Sequence, residues 1–503
     1  MAAIFDTEKK IRLGVWGLGR GSTLIRTADK LNIEIVAGCD VNHIMQDKFR
    51  AICPDAYITD NEDDFLAYPM DAVLIATFIQ DHAKHAIRAL EAGLHVMSEV
   101  TSFMTPAEGV QLVEAVEKSG KVYQLLENYP FTKENMYLKD LWEKGFFGEF
   151  MYGEFEYLHE CRALCYGYNA PNYPAVEPGN TAHSWRSWLN FHYYATHSLG
   201  PLMQITGLRP VRVSALPEAV PLPGYLPDSG MSKPCPSIIE MSNGGLMRNL
   251  TGAATGDYHA GKRIWGTRAA AESLGHDLII KTGAAGKSMD LHIQPEWPAL
   301  AEIANTAGHG GGDFWELYYF ARQILTGDAA PWDIYKASDV TLAGIMAVRS
   351  QDNNGMPMEI PDFRRKEVRD RYRNDHSMQE HLDPAKIFPA DAGEDSLRFN
   401  SLMLDLIQDG TLWRKVWDGA LLWKNIKNDT GKVSVLKALE ELQERLENIP
   451  NHIAEAYALI GKYPQAPAVE ALKGIMSIYE SDLAGDLAEK LCKLRKELLT
   501  GKL

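Results

Sequence analysis

The chain is poor in the features that mark several protein classes. Its 503 residues include six cysteines, Cys39, Cys53, Cys161, Cys165, Cys235 and Cys492. None forms a CxxC pair or a metal-ligand spacing, so scattered reduced thiols and no metal site are expected. Positive charge is in short supply, with 51 Lys and Arg against 67 Asp and Glu, a net charge of −16. That balance argues against binding nucleic acid or an anionic membrane. No run approaches the ~20 apolar residues of a spanning helix. The start, MAAIFDTEKKIRLGV, has no apolar signal core, so a cytoplasmic protein is expected. The sequon Asn249-Leu250-Thr251 then carries no meaning. There is no fixed-period repeat and no low-complexity tract. What remains is ordinary globular composition, 46% hydrophobic and 23% charged. The length suggests two or three domains of ~100–200 residues each.

The most informative stretch is LGVWGLGRGSTLIRTADKLNIEIVAGCD, residues 13–40. An apolar run ends at Gly17, Gly19 and Gly21 follow, then a helical stretch, then a second apolar run ending at Asp40. This is the order of a dinucleotide-binding βαβ unit. Gly17 permits the tight turn, and Gly19 lets backbone N–H groups approach a pyrophosphate at a helix N-terminus. Arg20 lies in the same turn. Asp40, ~20 residues on, is placed to accept hydrogen bonds from a ribose 2′-OH and would repel a 2′-phosphate. NAD is therefore the expected cofactor. The third glycine of the GxGxxG pattern falls on Ser22, with Gly21 one residue early.

The same rhythm continues. Residues 71–77 (DAVLIAT), 95–98 and 122–126 read as buried parallel strands. A helix is expected from His82 to Gly93. Thr105-Pro106-Ala107-Glu108 predicts a capping box with proline at the first helical position, closed by Gly120. Strands alternating with helices mean a doubly wound sheet whose C-terminal strand ends hold the ligand. After about residue 145, FGEFMYGEFEYLHE, VRVSAL, SIIEMSN, GLMRNLTGA and HDLIIKTG alternate as open-faced strands without helices between them. They predict an antiparallel sheet. Residues 162–185, rich in Tyr, Asn and Pro, read as a functional loop or lid. Asp313 to Glu316 has a capping-box pattern after the glycine turn His309–Gly312. Residues 361–395 read as a charged linker or surface wrap, and residues 396–503 as helical, with Trp413, Trp417 and Trp423 in its core. The expected fold is an α/β Rossmann domain (1–128), an α+β domain with an open antiparallel sheet (129–395) and an α-helical C-terminal extension (396–503).

Polar residues gather at the predicted strand ends. Thr77 and His82 follow one strand, Glu99 ends another, and Glu127, Asn128 and Tyr129 end a third. Tyr157 lies on the alternating strand 154–160. Trp185 and Arg186 precede Tyr194 and His197, which share a face at a spacing of three on a helical turn. Each has a plainer alternative. Glu99 and Glu127 could be solvated carboxylates, Tyr157 a packed sheet aromatic, His197 a structural histidine, His85 a helix-surface residue and His309 a helix-capping turn.

These segments resemble the glucose–fructose oxidoreductase and inositol dehydrogenase superfamily (Gfo/Idh/MocA) over roughly residues 10–360. The resemblance rests on GVWGLGRG, ATFIQDHAKHAIRALEAGLHVMSEV, KGFFGEF and GHGGGD. It implies a Rossmann domain followed by an open sheet used for substrate binding and oligomer contacts. Its dehydrogenases carry Glu-Lys-Pro after the fifth strand, the lysine exchanging the substrate's proton. Here the triplet is Glu99-Val100-Thr101, and valine exchanges none. The valine, together with LLEN, EFEYLHECR and YYATHSLGP, is similar to the NAD-dependent glycosidase branch, glycoside hydrolase family 109.

That branch implies catalytic residues Glu127, Tyr157, Tyr194 and His197. The cofactor set is Gly17, Gly19, Arg20, Gly21, Asp40, Thr77, His82, Glu99, Asn128, Trp185 and Arg186. Its chemistry is transient oxidation of a sugar at C3, loss of the C2 proton, elimination of the C1 substituent, water addition and re-reduction. His197 is assigned to the C3 hydroxyl, Tyr157 to C2, and Glu127 to orienting the sugar or the nicotinamide ribose. A carbohydrate or glycoside substrate and a homo-oligomer are expected. Two other readings stand beside it: a net sugar or polyol dehydrogenase using His197, and a non-catalytic nucleotide-binding sensor or assembly protein.

Overall fold

The apolar runs pair in parallel, as buried strands do. The computed structural model describes residues 4–167, 185–217, 220–254, 261–274, 277–297, 299–380, 386–389, 391–477 and 487–500. Six strands, β1 (Ile11–Trp16), β2 (Ile33–Cys39), β3 (Tyr57–Thr59), β4 (Ala72–Ile75), β5 (His95–Glu99) and β6 (Tyr123–Leu126), form one sheet in the order β3-β2-β1-β4-β5-β6. Every pairing is parallel. The order reverses between β1 and β4, so the ligand crevice lies at their C-terminal ends. β3 has three residues, too few for any periodicity to announce it.

The helix Pro106–Ser119 starts as the sequence predicts. The Thr105 hydroxyl accepts from the Glu108 N–H at 3.3 Å, and the Glu108 carboxylate accepts from the Thr105 N–H at 3.0 Å. Gly120 ends the helix at φ +62°, a left-handed conformation that glycine adopts without strain.

The second sheet has nine strands: β7 (Phe150–His159), β8 (Pro210–Ala215), β9 (Pro234–Met241), β10 (Leu246–Ala253), β11 (Lys262–Gly266), β12 (Ala269–Ser273), β13 (Leu278–Thr282), β14 (Met289–Ile293) and β15 (Met358–Glu359). Their order is β14-β13-β12-β11-β7-β10-β9-β8-β15. The pairings are antiparallel except β7 with β10, which run parallel. The long connection between them, which includes the helix Thr196–Thr206, gives the chain room to return in the same direction. The sheet is thus the expected open antiparallel one, mixed at that one pair. On β7, Phe155 and Tyr157 are buried while Glu154 and Glu156 face out and pair with Arg248 of β10.

The chain divides into two compact units: residues 1–160, 189–220 and 233–380, and residues 161–188, 221–232 and 381–503. Both sheets belong to the first. Within it, residues 361–380 form a charged strap along the helix Pro106–Ser119. Arg369 pairs with Glu117 at 2.6 Å and Arg373 with Glu114 at 2.5 Å.

The second unit is helical, with Arg162–Gly167, Glu394–Leu422, Asp429–Glu444, Ile449–Lys462, Pro467–Met476 and Leu487–Thr500. Phe399, Leu402, Leu406, Leu442, Leu472 and Ile475 are buried in it. Trp413 is buried and stacks on Trp417, ring centroids 3.9 Å apart. Trp417 and Trp423 are only half-buried, Trp423 standing in the turn Trp423–Asn425 that follows the helix Glu394–Leu422. Of the loop read over 162–185, residues 168–184 lie outside the described residues. No helix of the described residues is long and apolar enough to cross a membrane. Among them no group of three or more His, Cys, Asp or Glu is arranged to hold a metal ion.

Candidate functional site

The glycine turn after β1 is shaped by steric necessity. Gly17 has φ +92°, and a Cβ there would lie 2.3 Å from the Ala76 carbonyl oxygen. At Gly19 a Cβ would meet nothing within 4 Å, so the backbone is open to an approaching phosphate. At Gly21 a Cβ would come within 2.5 Å of Val15 Cγ1. Gly21 thus does the close helix-to-strand packing of the pattern's third glycine, and Ser22, at the formal position, donates its hydroxyl to the Leu18 carbonyl. Asp40, just beyond β2, accepts from the Leu18 N–H at 2.7 Å and the Asn42 N–H at 2.9 Å. Burial pushes its carboxyl above the ordinary value, against those two hydrogen bonds. The open Gly19 backbone and the carboxylate at the adjoining strand end fit a dinucleotide.

Arg20, in the same turn, is held by three side chains. Its Nε donates to Glu99 at 2.8 Å, one terminal nitrogen donates to Thr23 at 2.7 Å, and the other donates to Asp313 at 3.1 Å. Asp313 also meets His309 Nδ1 at 2.9 Å and the Asn128 amide at 3.3 Å. Asp313 therefore serves no capping box: the helix Gly312–Thr326 starts at Gly311 with no side-chain cap. Burial alone would raise the Asp313 carboxyl, but His309 and the Arg20 guanidinium hold it down at about 2. Glu316, one turn on, has both oxygens buried without a hydrogen-bond partner. Burial, then the charges of Asp313 and Glu99, push its carboxyl well above the ordinary range.

His82 and His85 are both buried. The ring nitrogens of His82 face the carbonyls of Thr101 at 2.9 Å and Thr77 at 3.1 Å, bracing the loops after β5 and β4. His85, expected on the helix surface, instead stacks on Trp16 at the end of β1. The helix turns that face onto the sheet, where an aromatic neighbour covers it.

A second cluster forms where β6 ends. The Glu127 carboxylate is 0% exposed, and His197 Nδ1 lies 2.9 and 3.0 Å from its two oxygens. The Tyr129 N–H donates to the same carboxylate at 3.2 Å. Tyr194 ends the short turn Phe191–Tyr194, and His197 opens the helix Thr196–Thr206. Ring centroids of Tyr157, Tyr129 and Tyr194 lie 4.6, 4.9 and 5.4 Å from that of His197. Gly200 sits one turn along, where a Cβ would stand 3.1 Å from Glu127 Cγ. With Nδ1 committed to a carboxylate, His197 is left with Nε2 for chemistry.

Of the residues singled out in the sequence, the structure therefore groups Gly17, Gly19, Gly21 and Asp40 at one turn. Arg20 and Asn128 meet Asp313 while Glu99 holds Arg20, Thr77 and His82 lie beside β4, and Glu127, Tyr157, Tyr194 and His197 form one cluster. Trp185 and Arg186 belong to the second unit, where the Arg186 guanidinium lies 4.1 Å over the Trp185 ring. The sequence reading named Tyr129 at a strand end and Glu316 in a capping-box pattern, and gave neither a role in the site. Tyr129 had one usable signal, an aromatic two residues past a strand-end glutamate.

Residues 11–127 match the family model described as "Oxidoreductase family, NAD-binding Rossmann fold". Residues 271–370 match "Glycosyl hydrolase 109, C-terminal domain". A Glycosyl hydrolase family 109 protein of Stenotrophomonas maltophilia (strain K279a) is 26% identical over 407 residues, covering 71% of this chain and 89% of that protein. One of Shewanella sp. (strain W3-18-1) is 26% identical over 401 residues, covering 71% and 85%. Among solved structures, levoglucosan dehydrogenase in complex with NADH shares the fold at a TM-score of 0.58 and 18% identity, over 70% of this chain and 100% of that one. Scyllo-inositol dehydrogenase from Lactobacillus casei, with bound NAD(H) and scyllo-inositol, does so at 0.54 and 16%, over 70% and 99%. The glycine turn and the strand order agree with the first matched segment: residues 11–127 form an NAD-binding Rossmann domain of the oxidoreductase family type, and the chain is similar to glycosyl hydrolase 109 proteins over 71% of its length.

Proposed function

We infer that this protein is an NAD-dependent, sugar-active enzyme that cleaves a glycoside through transient oxidation at C3. The observation that carries the reading is the His197–Glu127 pair, buried just past the C-terminal end of β6, in a chain that has Val100 where the resembled dehydrogenases carry a lysine. Gly17, Gly19 and Asp40 would hold the coenzyme, with Arg20, Glu99 and Asn128 bracing that side and Thr77 and His82 shaping the β4 loop. When bound, NAD⁺ takes up a hydride from the sugar and returns it. His197 Nε2 accepts the C3 hydroxyl proton, while Glu127 acts through the imidazole, its carboxylate being closed off from any ligand. Glu127 is then a positioning residue. Tyr157, whose ring lies 4.6 Å from that of His197, in this reading takes the C2 proton, which a C3 ketone acidifies, and Tyr194 flanks the same ring cluster. Purified enzyme is expected to release the aglycone without accumulating NADH and to leave a 3-methoxy analogue untouched. Turnover of that analogue sinks the reading, and steady NADH accumulation from a free sugar replaces it with net oxidation.

The Asp40 carboxylate sets coenzyme choice in this reading. Asp40→Ser is expected to weaken NAD⁺ binding by about 10-fold, the worth of one hydrogen bond to a charged group. It should also narrow the preference over NADP⁺. Titration calorimetry with both coenzymes measures the ratio, and an unchanged ratio removes Asp40 from the site. The reading extends to a homo-oligomer. The outward face of the second sheet carries exposed Ile238, Leu246 and Trp265 among the Arg248 and Arg263 ion pairs, a surface suited to a second copy.

A further inference from the structure

Thr77 stands two residues past the end of β4, and its backbone nitrogen is 2.7 Å from where a Cβ on Gly17 would fall. It therefore borders the glycine turn. Its hydroxyl lies 2.9 Å from His85 Nδ1. The His85 ring is only 4% exposed and stacks on Trp16, centroids 4.0 Å apart at 23°. On the far side, His85 Nε2 is 3.2 Å from Glu62 Oε1, off the line of an ideal hydrogen bond. Glu62 itself pairs with Arg88, which lies over the other ring of this stack, 5.6 Å from Trp16.

These contacts fix a direction. Burial pushes the His85 imidazolium below its ordinary value, so the ring is neutral and carries one N–H. A carboxylate only accepts, and its charge 3.2 Å from Nε2 favours the tautomer with the N–H on Nε2. Nδ1 is then a lone pair, and the Thr77 hydroxyl donates to it. Toward the crevice, Thr77 is left with lone pairs only.

We propose that His85 is a positioning residue that makes Thr77 an acceptor-only contact, selecting a hydroxyl donor of the coenzyme, the ribose of its nicotinamide half. This rests on the NAD reading above. A pyrophosphate oxygen carries no proton and gains nothing from such a contact. Asp40 lies at the end of β2, on the other side of β1, and takes the adenosine ribose. A dinucleotide laid across the switch point brings its second ribose to the β4 side.

Calorimetry with NAD⁺, ADP-ribose and ADP separates the possibilities, because ADP lacks the second ribose. Thr77→Val is expected to weaken NAD⁺ and ADP-ribose by about 3- to 10-fold and to leave ADP within about twofold, the loss of one neutral hydrogen bond. His85→Phe keeps a ring on Trp16 but accepts nothing, and should reproduce the pattern. His85→Asn, with Oδ1 near the place of Nδ1, should restore binding. Thermal unfolding of each variant checks the fold, and Thr77→Val alone decides the matter if His85→Phe does not fold. Equal weakening of ADP, or unchanged ADP-ribose binding in Thr77→Val, overturns the proposal. Wild-type protein that binds neither NAD⁺ nor ADP-ribose overturns the coenzyme reading itself and this proposal with it.

Discussion

Replacing His197 by glutamine is expected to lower turnover by about 10²- to 10⁴-fold, the usual worth of a positioned acid–base group. NAD⁺ affinity should stay within about twofold. Glutamine is the informative substitution. Its amide still donates to the Glu127 carboxylate, which is 0% exposed and, among the described residues, is met by His197 Nδ1 and the Tyr129 N–H. His197→Ala would strand that carboxylate, and breaking a buried pair costs about 3–5 kcal/mol. A loss of activity in the alanine variant would therefore mix chemistry with unfolding. Steady-state kinetics on His197→Gln, with calorimetry for NAD⁺ and a melting curve as controls, isolates the first. Glu127→Gln should lose less rate than His197→Gln, because it disturbs the ring's orientation while Nε2 remains. Activity of His197→Gln within tenfold of wild type removes the imidazole from the chemistry.

What the sequence reveals here is local. The Gly17 turn, the Asp40 carboxylate and the Thr105–Glu108 capping box are set by neighbours within ~20 residues, and their residue types have few other uses. The contacts that sequence hides are those between distant segments. Arg20 meets Asp313 across 293 positions, and Glu127 meets His197 across 70. Asp313 and Glu316 present the spacing of a capping box, yet one is drawn to Arg20 and the other is buried. Periodicity does place His85 on a helix. It cannot say that Trp16 covers that face. The parallel β7–β10 pair escapes for a similar reason: alternation marks a strand and its faces, never its direction.

Acid should unfold this protein well before its carboxylates protonate. His192 is 0% exposed, with neither ring nitrogen hydrogen-bonded, and burial pushes its pKa down to about 3. His95 accepts the Val122 N–H on Nδ1 at 3.0 Å; burial, then nearby Lys121 and Lys9, push it to about 4. Both bind a proton readily once unfolded, near the ordinary value of 6.5, and resist it when folded. Between pH 6.5 and 4 the unfolded state therefore holds more protons, and stability falls as pH falls. His192, fully buried, removes about 1.4 kcal/mol per pH unit across its window, and half-buried His95, screened by solvent, removes less. At pH 4.5 His192 alone removes about 3 kcal/mol, a large share of a typical 5–15 kcal/mol. Above pH 6.5 their contribution is constant. Urea unfolding at pH 7.5, 5.5 and 4.5 measures the slope. His192→Leu is expected to match wild type at pH 7.5 and to reduce the loss at pH 4.5 by about 3 kcal/mol, since leucine fills the same apolar space and has no proton to gain. A variant as acid-labile as wild type would place the sensitivity elsewhere.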